Sequence, residues 1–303
     1  MSKVAITGLT GFVGTNLKKY LRSHEIESLS VRYVPDQKFE INADVIIHLA
    51  GKAHDLKKIS NPSDYYEANY ELTKQLFDSF LQSNATVFIF MSTVKAVADK
   101  VDGILTEEII PNPKTHYGIA KRQAEEYILE QELPKGKRVY ILRPCMIHGP
   151  GNKGNLNLLF ALVSKGIPWP LGAFENRRSF LSIENLCFVV KELLENSLIP
   201  SDVYQVADSQ PISTNQLILF LGESLKKNAR LIKLPKKVIL LTTKLGDVLK
   251  LPLNTERLQK LTEDYVVSNE KIVSMIGKPM PVSVEEGLKR TFLSFGKINL
   301  GNK

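Results

Sequence analysis

The chain has 303 residues, and its 40 lysines and arginines outnumber 32 aspartates and glutamates to leave a formal charge of +8. At roughly 100–200 residues per domain this length predicts one large or two modest domains, with core enough to need neither disulfides nor metal. Apolar residues at 43% and charged residues at 24% exclude a disordered chain, and no run of about 18 apolar residues predicts a membrane-spanning helix.

Short β-branched runs alternate with helical stretches through the first half. Strands are expected at residues 3–7, 27–32, 44–49, 86–91 and 138–142, and helices at 12–23, 62–83, 115–131 and 155–165. That alternation predicts an α/β fold: a doubly wound parallel sheet covered on both faces. Residues 33–43 leave little room for a further helix and strand, so the sheet is expected to be trimmed there. Beyond residue 150, Pro and Gly multiply and strands thin out, which divides the chain into a sheet-forming part at 1–150 and a smaller region at 151–303 that packs over the open end of the sheet. The later part is allowed to re-enter the sheet.

Thr7-Gly8-Leu9-Thr10-Gly11-Phe12-Val13-Gly14 follows an apolar strand and opens a helix. Glycines there permit a tight turn and a close backbone approach to a pyrophosphate, which the helix N-terminus then attracts. The spacing is G-x-x-G-x-x-G, and such glycines can also be purely structural. The second expected strand ends at Arg32 rather than at an acidic ribose reader. Arg32 therefore suits the 2′-phosphate of NADP, or is a solvated surface arginine.

Tyr117 and Lys121 stand four apart at the start of a helix and share a face. A nearby ammonium is expected to lower the phenol pKa, so that Tyr117 can exchange a proton with an alcohol or ketone while hydride moves to or from a nicotinamide. Thr93, at the end of a buried strand, is placed to hydrogen-bond the reacting oxygen.

These motifs, with Asp44-Val45-Ile46-Ile47-His48-Leu49-Ala50-Gly51, Asn69 and Ser92-Thr93, make the chain similar to the extended short-chain dehydrogenase/reductases, which include nucleotide-sugar epimerases, dehydratases and reductases. The resemblance covers nearly the whole chain and implies a Rossmann-type fold. Within the family the chain most resembles bacterial 4-reductases acting on UDP-4-keto-6-deoxy-N-acetylhexosamines in surface-polysaccharide synthesis. The resemblance implies Thr93, Tyr117 and Lys121 as catalytic residues. It implies Gly8, Thr10, Gly11, Phe12, Val13, Gly14, Leu49, Ala50, Gly51, Asn69 and Lys121 as the cofactor side, joined by Arg32 from the strand argument. The C-terminal stretches Gly149-Pro150-Gly151-Asn152-Lys153-Gly154-Asn155, Pro170-Leu171-Gly172 and Asn176-Arg177-Arg178-Ser179 look like nucleotide-sugar segments. Asn155, Leu156, Trp169, Leu171 and Arg178 are the substrate residues expected from them, with Asn155 and Arg178 on the diphosphate. Trp169 flanks the base or is a packed loop aromatic.

Departures narrow the reaction. Dehydratases of this family carry Asp-Glu after the catalytic Thr; here Val94 and Lys95 follow, so dehydration is not expected. Many 4-epimerases carry an aromatic-Asn pair where this chain has Pro144-Cys145-Met146, and a tyrosine where it has Val97. The expected cofactor is NADP or NAD, with NADP slightly preferred, and the reaction is C4 reduction or, alternatively, C4 epimerisation. The alternative of another class is a non-catalytic NAD(P)-sensing protein, against which the retained Thr93, Tyr117 and Lys121 argue.

The positive excess fits an anionic partner or a lysine-biased solvated surface. Basic residues look scattered, without a basic arm or an RNA-binding aromatic motif, so no nucleic-acid partner is expected. Helix 235–250 reads either as an interfacial helix or, preferably, as an amphipathic helix packed on the small domain. Cys145 and Cys187 are too few for a disulfide framework and no Cys/His cluster has zinc spacing, so no metal is expected and the thiols read as free in a reducing cytoplasm. The start, MSKVAITG, predicts no signal peptide. His48 reads as a packed histidine; His54, His116 and His148 lie near the motifs without metal spacing. The family implies a homodimer pairing helices 62–83 and 115–131.

Overall fold

The computed structural model describes residues 1–53, 61–152, 155–249 and 254–300. His54 and the Lys153-Gly154 pair of the expected nucleotide-sugar segment lie outside them. In chain order the first part runs β1 (Lys3–Thr7), α1 (Phe12–Tyr20), β2 (Glu25–Ser28), β3 (Val45–His48), α2 (Pro62–Tyr66), a π turn (Glu67–Glu71), α3 (Leu72–Gln82), β4 (Val87–Met91), a 3₁₀ turn (Val94–Ala96), β5 (Ile104–Leu105), α4 (His116–Glu130) and β6 (Arg138–Pro144). Next come β7 (Met146–His148), α5 (Asn155–Ser164), β8 (Phe180–Ser182), α6 (Ile183–Glu195) and β9 (Asp202–Val206). The chain ends with α7 (Thr214–Ser224), α8 (Lys236–Leu249), α9 (Thr255–Thr262), β10 (Val266–Val267), α10 (Glu270–Ile276) and α11 (Val284–Leu300).

Six parallel strands form the main sheet in the order β2-β1-β3-β4-β6-β9. Side chains alternate across it with the period of two that a strand imposes. Val4, Ile6, Ile47, Ile89 and Leu142 meet Leu17 of α1 and Leu186, Val189 and Val190 of α6 on one face. Ile46, Phe88, Phe90 and Ile141 meet Leu76, Phe77 and Phe80 of α3 and Ile128 of α4 on the other. Burial on both faces explains why these strands read as continuous apolar runs rather than as alternating ones. No helix or strand lies between β2 and β3, as the short 33–43 segment predicted.

The second expected strand is displaced. It spans Glu25–Ser28 and not 27–32, so Arg32 lies four residues beyond its end. β9 and α6 return to the main sheet from beyond residue 150. Ile272 and Ile276 of α10 and Val267 of β10 join the same core as that sheet, whereas α5, α7, α8, α9 and α11 enclose a separate core of Leu156, Phe160, Trp169, Leu171, Leu217, Leu221, Leu288 and Phe292. Strand order reverses at β1, between β2 and β3, so the crevice at the C-terminal ends of β1 and β3 is where a ligand of such a sheet binds.

Candidate active site

The glycine loop fills one side of that crevice. Gly8 has a φ of +67°, and a Cβ there would stand 3.2 Å from the Ala50 nitrogen, so the first loop and the β3 turn touch. Gly14 has no room at all: a Cβ would lie 2.6 Å from the Gly8 carbonyl oxygen and from Leu9. Gly11 precedes α1 and offers no side-chain cap, which leaves the helix N-terminus to an anionic group. Beside it a cavity of about 370 Å³ is lined by Arg32, Tyr33, Ala50, Gly51, Lys52, Asp64 and Glu67 among others. Close-packed glycines, an uncapped helix end and this cavity fit a dinucleotide. Gly8–Gly14 would hold its pyrophosphate, and the walls around Ala50, Gly51 and Arg32 its ribose. Asp36, in a turn at φ +60°, does not line the cavity.

The β3 turn is held by contacts that sequence reading missed. Thr7 Oγ1 accepts from the Leu49 and Ala50 nitrogens, both at 3.0 Å, so its own proton goes to His48 Nδ1 at 2.8 Å. The Thr73 hydroxyl donates to the Asn69 carbonyl at 2.9 Å and accepts from His48 Nε2–H at 3.0 Å. The imidazole is thus neutral with its proton on Nε2. Complete burial, followed by the Lys121 charge, pushes its pKa down to about 3. Asn69, in the π turn, clamps the same loop: Oδ1 accepts from the Lys52 nitrogen, while Nδ2 donates to the Lys52 and Tyr65 carbonyls. Asn69 was expected on the cofactor side; its amide holds the turn that would face the cofactor. A Cβ on Gly51 would stand 2.5 Å from Asn69 Oδ1.

His48 makes stability acid-sensitive. An unfolded imidazole titrates near 6.5, so between that pH and about 3 the unfolded chain binds the extra proton, and stability falls as pH falls. From pH 7 to pH 5 this group alone is expected to remove about 2 kcal/mol. Urea unfolding at both pH values should show a smaller drop for His48→Gln, which keeps hydrogen-bonding capacity without titrating. An equal drop in both proteins would dismiss the assignment.

Across the crevice, β4 ends at Met91, and Ser92-Thr93 lead into the 3₁₀ turn, which Thr93 caps by accepting from the Lys95 nitrogen at 3.2 Å. The N-terminus of α4, capped by Thr115, abuts this turn. Contact is possible because residue 118 is glycine: a Cβ there would lie 2.4 Å from the Lys95 carbonyl oxygen. That approach brings Tyr117 to Thr93. Lys121, on the same face one turn on, is buried and donates to the Met91 carbonyl at 2.9 Å, with Nζ 4.5 Å from the Phe90 ring centroid.

The electrostatics correct one expectation. Tyr117 was expected to have a lowered pKa beside an ammonium; burial instead pushes it up to about 12, against the opposing hydrogen bond with Thr93. Burial likewise pushes Lys121 down to about 7, opposed by Glu125. Lysine hydrogen-bonding is directed at the Met91 carbonyl, so desolvation governs both groups. Glu125, four residues after Lys121 on the inner face of α4, is a second residue that motif reading missed. It takes both arms of Arg143, at 2.9 and 2.6 Å, and the Ser92 hydroxyl at 2.5 Å. The i, i+4 spacing from Lys121 was the available signal.

On the substrate side, Arg178 is half-buried. One guanidinium NH donates to the Lys260 carbonyl of α9, and burial lowers its pKa. After burial and the opposing Asp99 charge, the Arg178 charge also acts on Lys95, two residues beyond Thr93. Asn155 begins α5. Trp169, Leu156 and Leu171 need correction as side-chain ligands. Their side chains are 4%, 3% and 2% exposed in the C-terminal core, and Trp169 Nε1 donates to Asn215. Their apolar character reflects packing, and the Trp169 backbone is itself paired, its N–H donating to the Arg230 carbonyl and its carbonyl accepting from the Ile232 nitrogen. Cys145 and Cys187 are buried free thiols whose pKa values burial raises. His116 meets the Tyr66 hydroxyl and His148 is buried against Thr291. Among the described residues no group of His, Cys, Asp and Glu could hold a metal, and no helix is long and apolar enough to cross a membrane.

A parallel Rossmann-type sheet with a glycine loop at its switch point, facing a Thr–Tyr–Lys cluster, defines a dinucleotide-dependent oxidoreductase fold. Residues 4–207 match the model of the NAD dependent epimerase/dehydratase family, and the chain belongs to that family and is an enzyme. It is 29% identical to a UDP-glucose 4-epimerase of Vibrio cholerae, over 98% of this chain and 96% of the relative. It is 28% identical to an N-acetyl-alpha-D-glucosaminyl-diphospho-ditrans,octacis-undecaprenol 4-epimerase of Escherichia coli O157:H7, over 95% and 93% of the two chains. Among solved structures it resembles RMD from Pseudomonas aeruginosa complexed with NADPH, with a TM-score of 0.71 and 20% identity over 97% of this chain and 99% of the other. It also resembles Bordetella bronchiseptica WbmG in complex with NAD and UDP, with a TM-score of 0.73 and 13% identity over 98% and 94%. At these identities the structural likeness is one of fold.

Proposed function

We propose that this enzyme carries out NAD(P)-dependent oxidoreduction at C4 of a UDP-linked hexose, in the direction of reducing a 4-keto-6-deoxy-N-acetylhexosamine. The observation that carries the reading is the buried Thr93–Tyr117–Lys121 cluster across the crevice from the glycine loop. A bound nicotinamide dinucleotide would supply the hydride. Tyr117, held protonated through neutrality, donates its proton to the C4 oxygen, and Thr93 hydrogen-bonds the same oxygen. Lys121 is the residue this reading assigns to the nicotinamide ribose, and the Arg178 guanidinium suits a diphosphate through its fork. Val94 and Lys95 supply no carboxylate to remove water, so dehydration is not part of the reaction.

A second reading is C4 epimerisation. It is favoured by two relatives, named as 4-epimerases, that match over nearly the full chain. The name of one of them adds a polyprenyl diphosphate as a possible carrier of the sugar. An assay at 340 nm separates the readings. With a UDP-4-keto-6-deoxy-N-acetylhexosamine, stoichiometric loss of reduced cofactor is expected. Interconversion of UDP-N-acetylglucosamine without net absorbance change would replace reduction by epimerisation, and no turnover of either would remove the C4 assignment.

The same reading places the enzyme in the cytoplasm as a homodimer pairing α2–α3 and α4. Arg32 lines the cavity beside Gly51 and has no acidic ribose reader in its place, so NADP is slightly preferred. A charged hydrogen bond to the 2′-phosphate contributes about 1–3 kcal/mol, or roughly 5- to 150-fold in affinity ratio. Arg32→Ala should reduce the NADPH/NADH affinity ratio by that factor in a fluorescence titration. An unchanged ratio would reduce Arg32 to a surface residue.

A further inference from the structure

The expected picture of α8, an amphipathic helix with its apolar stripe in the core, does not hold. Ile239 and Thr243 turn inward, at 4% and 1% exposure. Val238, Leu241, Leu245 and Leu249 do not: they are 50%, 71%, 56% and 59% exposed. At 100° per residue those four fall within an arc of about 80° on a helix about 21 Å long. Lys237 and Lys244 lie along one border of that arc, and among the described residues neither has a carboxylate partner. Asp247, the acidic residue of the helix, is engaged by the backbone and hydroxyl of Thr255.

Charge is concentrated in the same place. Residues 226–250 contain eight lysines and arginines and one aspartate, a local charge of +7 in a chain whose total is +8. The basic residues are therefore not scattered, as whole-chain inspection suggested. Lys226, Lys227, Arg230, Lys233, Lys236 and Lys237 are all exposed in the approach to α8.

We propose that α8 docks this enzyme on an anionic lipid bilayer surface, the leucine face entering the headgroup boundary and the flanking lysines meeting lipid phosphates. A row of large exposed apolar side chains beside a lysine border is the pattern of an in-plane interfacial helix, and anionic lipid attracts each nearby lysine. Charge complementarity selects this occupant. A second copy placed face to face would set Lys237 and Lys244 against their equivalents, and a nucleic acid would leave the leucines in water. The surface is one helix from the catalytic crevice. α8 packs on α9, and the Lys260 carbonyl of α9 receives the Arg178 guanidinium. Docking there places the Arg178 rim near the membrane surface, within reach of a sugar diphosphate carried on a lipid. The proposal rests on α8 and is independent of which C4 reaction the enzyme performs.

Flotation with phosphatidylethanolamine–phosphatidylglycerol vesicles, against phosphatidylcholine vesicles, tests it on the full chain. Binding to the anionic vesicles is expected, weakened by added salt. Leu241→Gln with Leu245→Gln should abolish it. Lys237→Gln with Lys244→Gln should weaken it by about tenfold or more, each lysine contributing roughly fivefold. Activity on a soluble UDP-sugar should be unchanged in both variants, which keeps a failure of docking separate from a failure of the C4 reading. The proposal is overturned by absence of anionic-vesicle binding, or by binding that survives the leucine substitutions. It is equally overturned if light scattering shows a dimer that the leucine substitutions dissociate without any lipid binding. RNA or DNA binding that depends on the lysines alone would overturn it too.

Discussion

Tyr117→Phe is expected to lower turnover by at least about 100-fold while leaving cofactor binding within about twofold, because general acid–base catalysis contributes on the order of 10²–10⁴. The substitution removes one oxygen. The ring keeps its place at the N-terminus of α4, where the close contact of Gly118 with the Lys95 carbonyl sets the helix, so the fold is preserved. Only the hydroxyl, with its proton and its hydrogen bond to Thr93, is lost. Thr93 alone cannot replace it: its hydroxyl accepts from the Lys95 nitrogen and can still donate a hydrogen bond, but an alkyl alcohol is too weak an acid to give up its proton to the reacting oxygen. The raised phenol pKa, about 12, adds a sign. As a proton donor Tyr117 stays competent through neutral and mildly alkaline pH, so the reductive direction should show no alkaline loss attributable to this residue below about pH 10. Steady-state turnover of the variant, with nucleotide affinity measured separately by fluorescence, decides the matter. Unchanged turnover would remove Tyr117 from the chemistry.

The cofactor half of this arrangement was open to sequence reading because its constraints are local. A strand, a turn without room for Cβ atoms and a helix start follow one another between Lys3 and Gly14, and Tyr117 and Lys121 are one helical turn apart. The substrate half was not. Trp169, Leu156 and Leu171 are apolar residues in a Gly/Pro-rich region, and an apolar side chain reads the same whether it lines a cleft or fills a core; only the C-terminal packing shows that it is the core. His48 was recognisable as a packed histidine, yet its partners Thr7 and Thr73 lie 41 and 25 residues away and carry no spacing signal. Arg32 was placed at a strand end because Ser28–Val31 looks like strand. Pairing stops at Ser28, and the chain turns off the sheet with Arg32 still beside the cavity. The lowered phenol pKa inferred from an adjacent lysine failed for a physical reason: spacing predicts proximity, whereas burial decides which charge state is tolerated.

Glu125→Ala is expected to have the largest effect on stability, about 3–5 kcal/mol, the usual cost of removing one partner from a buried ion pair. Arg143 sits at 3% exposure with both arms on this carboxylate, and Glu125 at 0% also receives the Ser92 hydroxyl. Without it a guanidinium and a hydroxyl are left in the interior between β4 and β6. Arg122, at 3.4 Å from Glu125 and bonded to Glu126 as well, is itself a cation and cannot take the carboxylate's place. The effect reaches the site through Lys121. Glu125 is the charge that opposes desolvation of that lysine, so its loss lowers the Lys121 pKa further. Any limb of the pH–activity profile that depends on the ammonium should then move to lower pH. A second substitution separates these consequences. Arg143→Met in the Glu125→Ala background removes the unpaired charge, so the double variant should recover part of the lost stability, in a clear departure from additivity. It should not recover the displaced pH profile, because Lys121 still lacks its carboxylate. Urea unfolding and pH–activity curves for the three variants measure both effects. Simple additivity of the two substitutions would mean that Glu125 and Arg143 do not act as a pair.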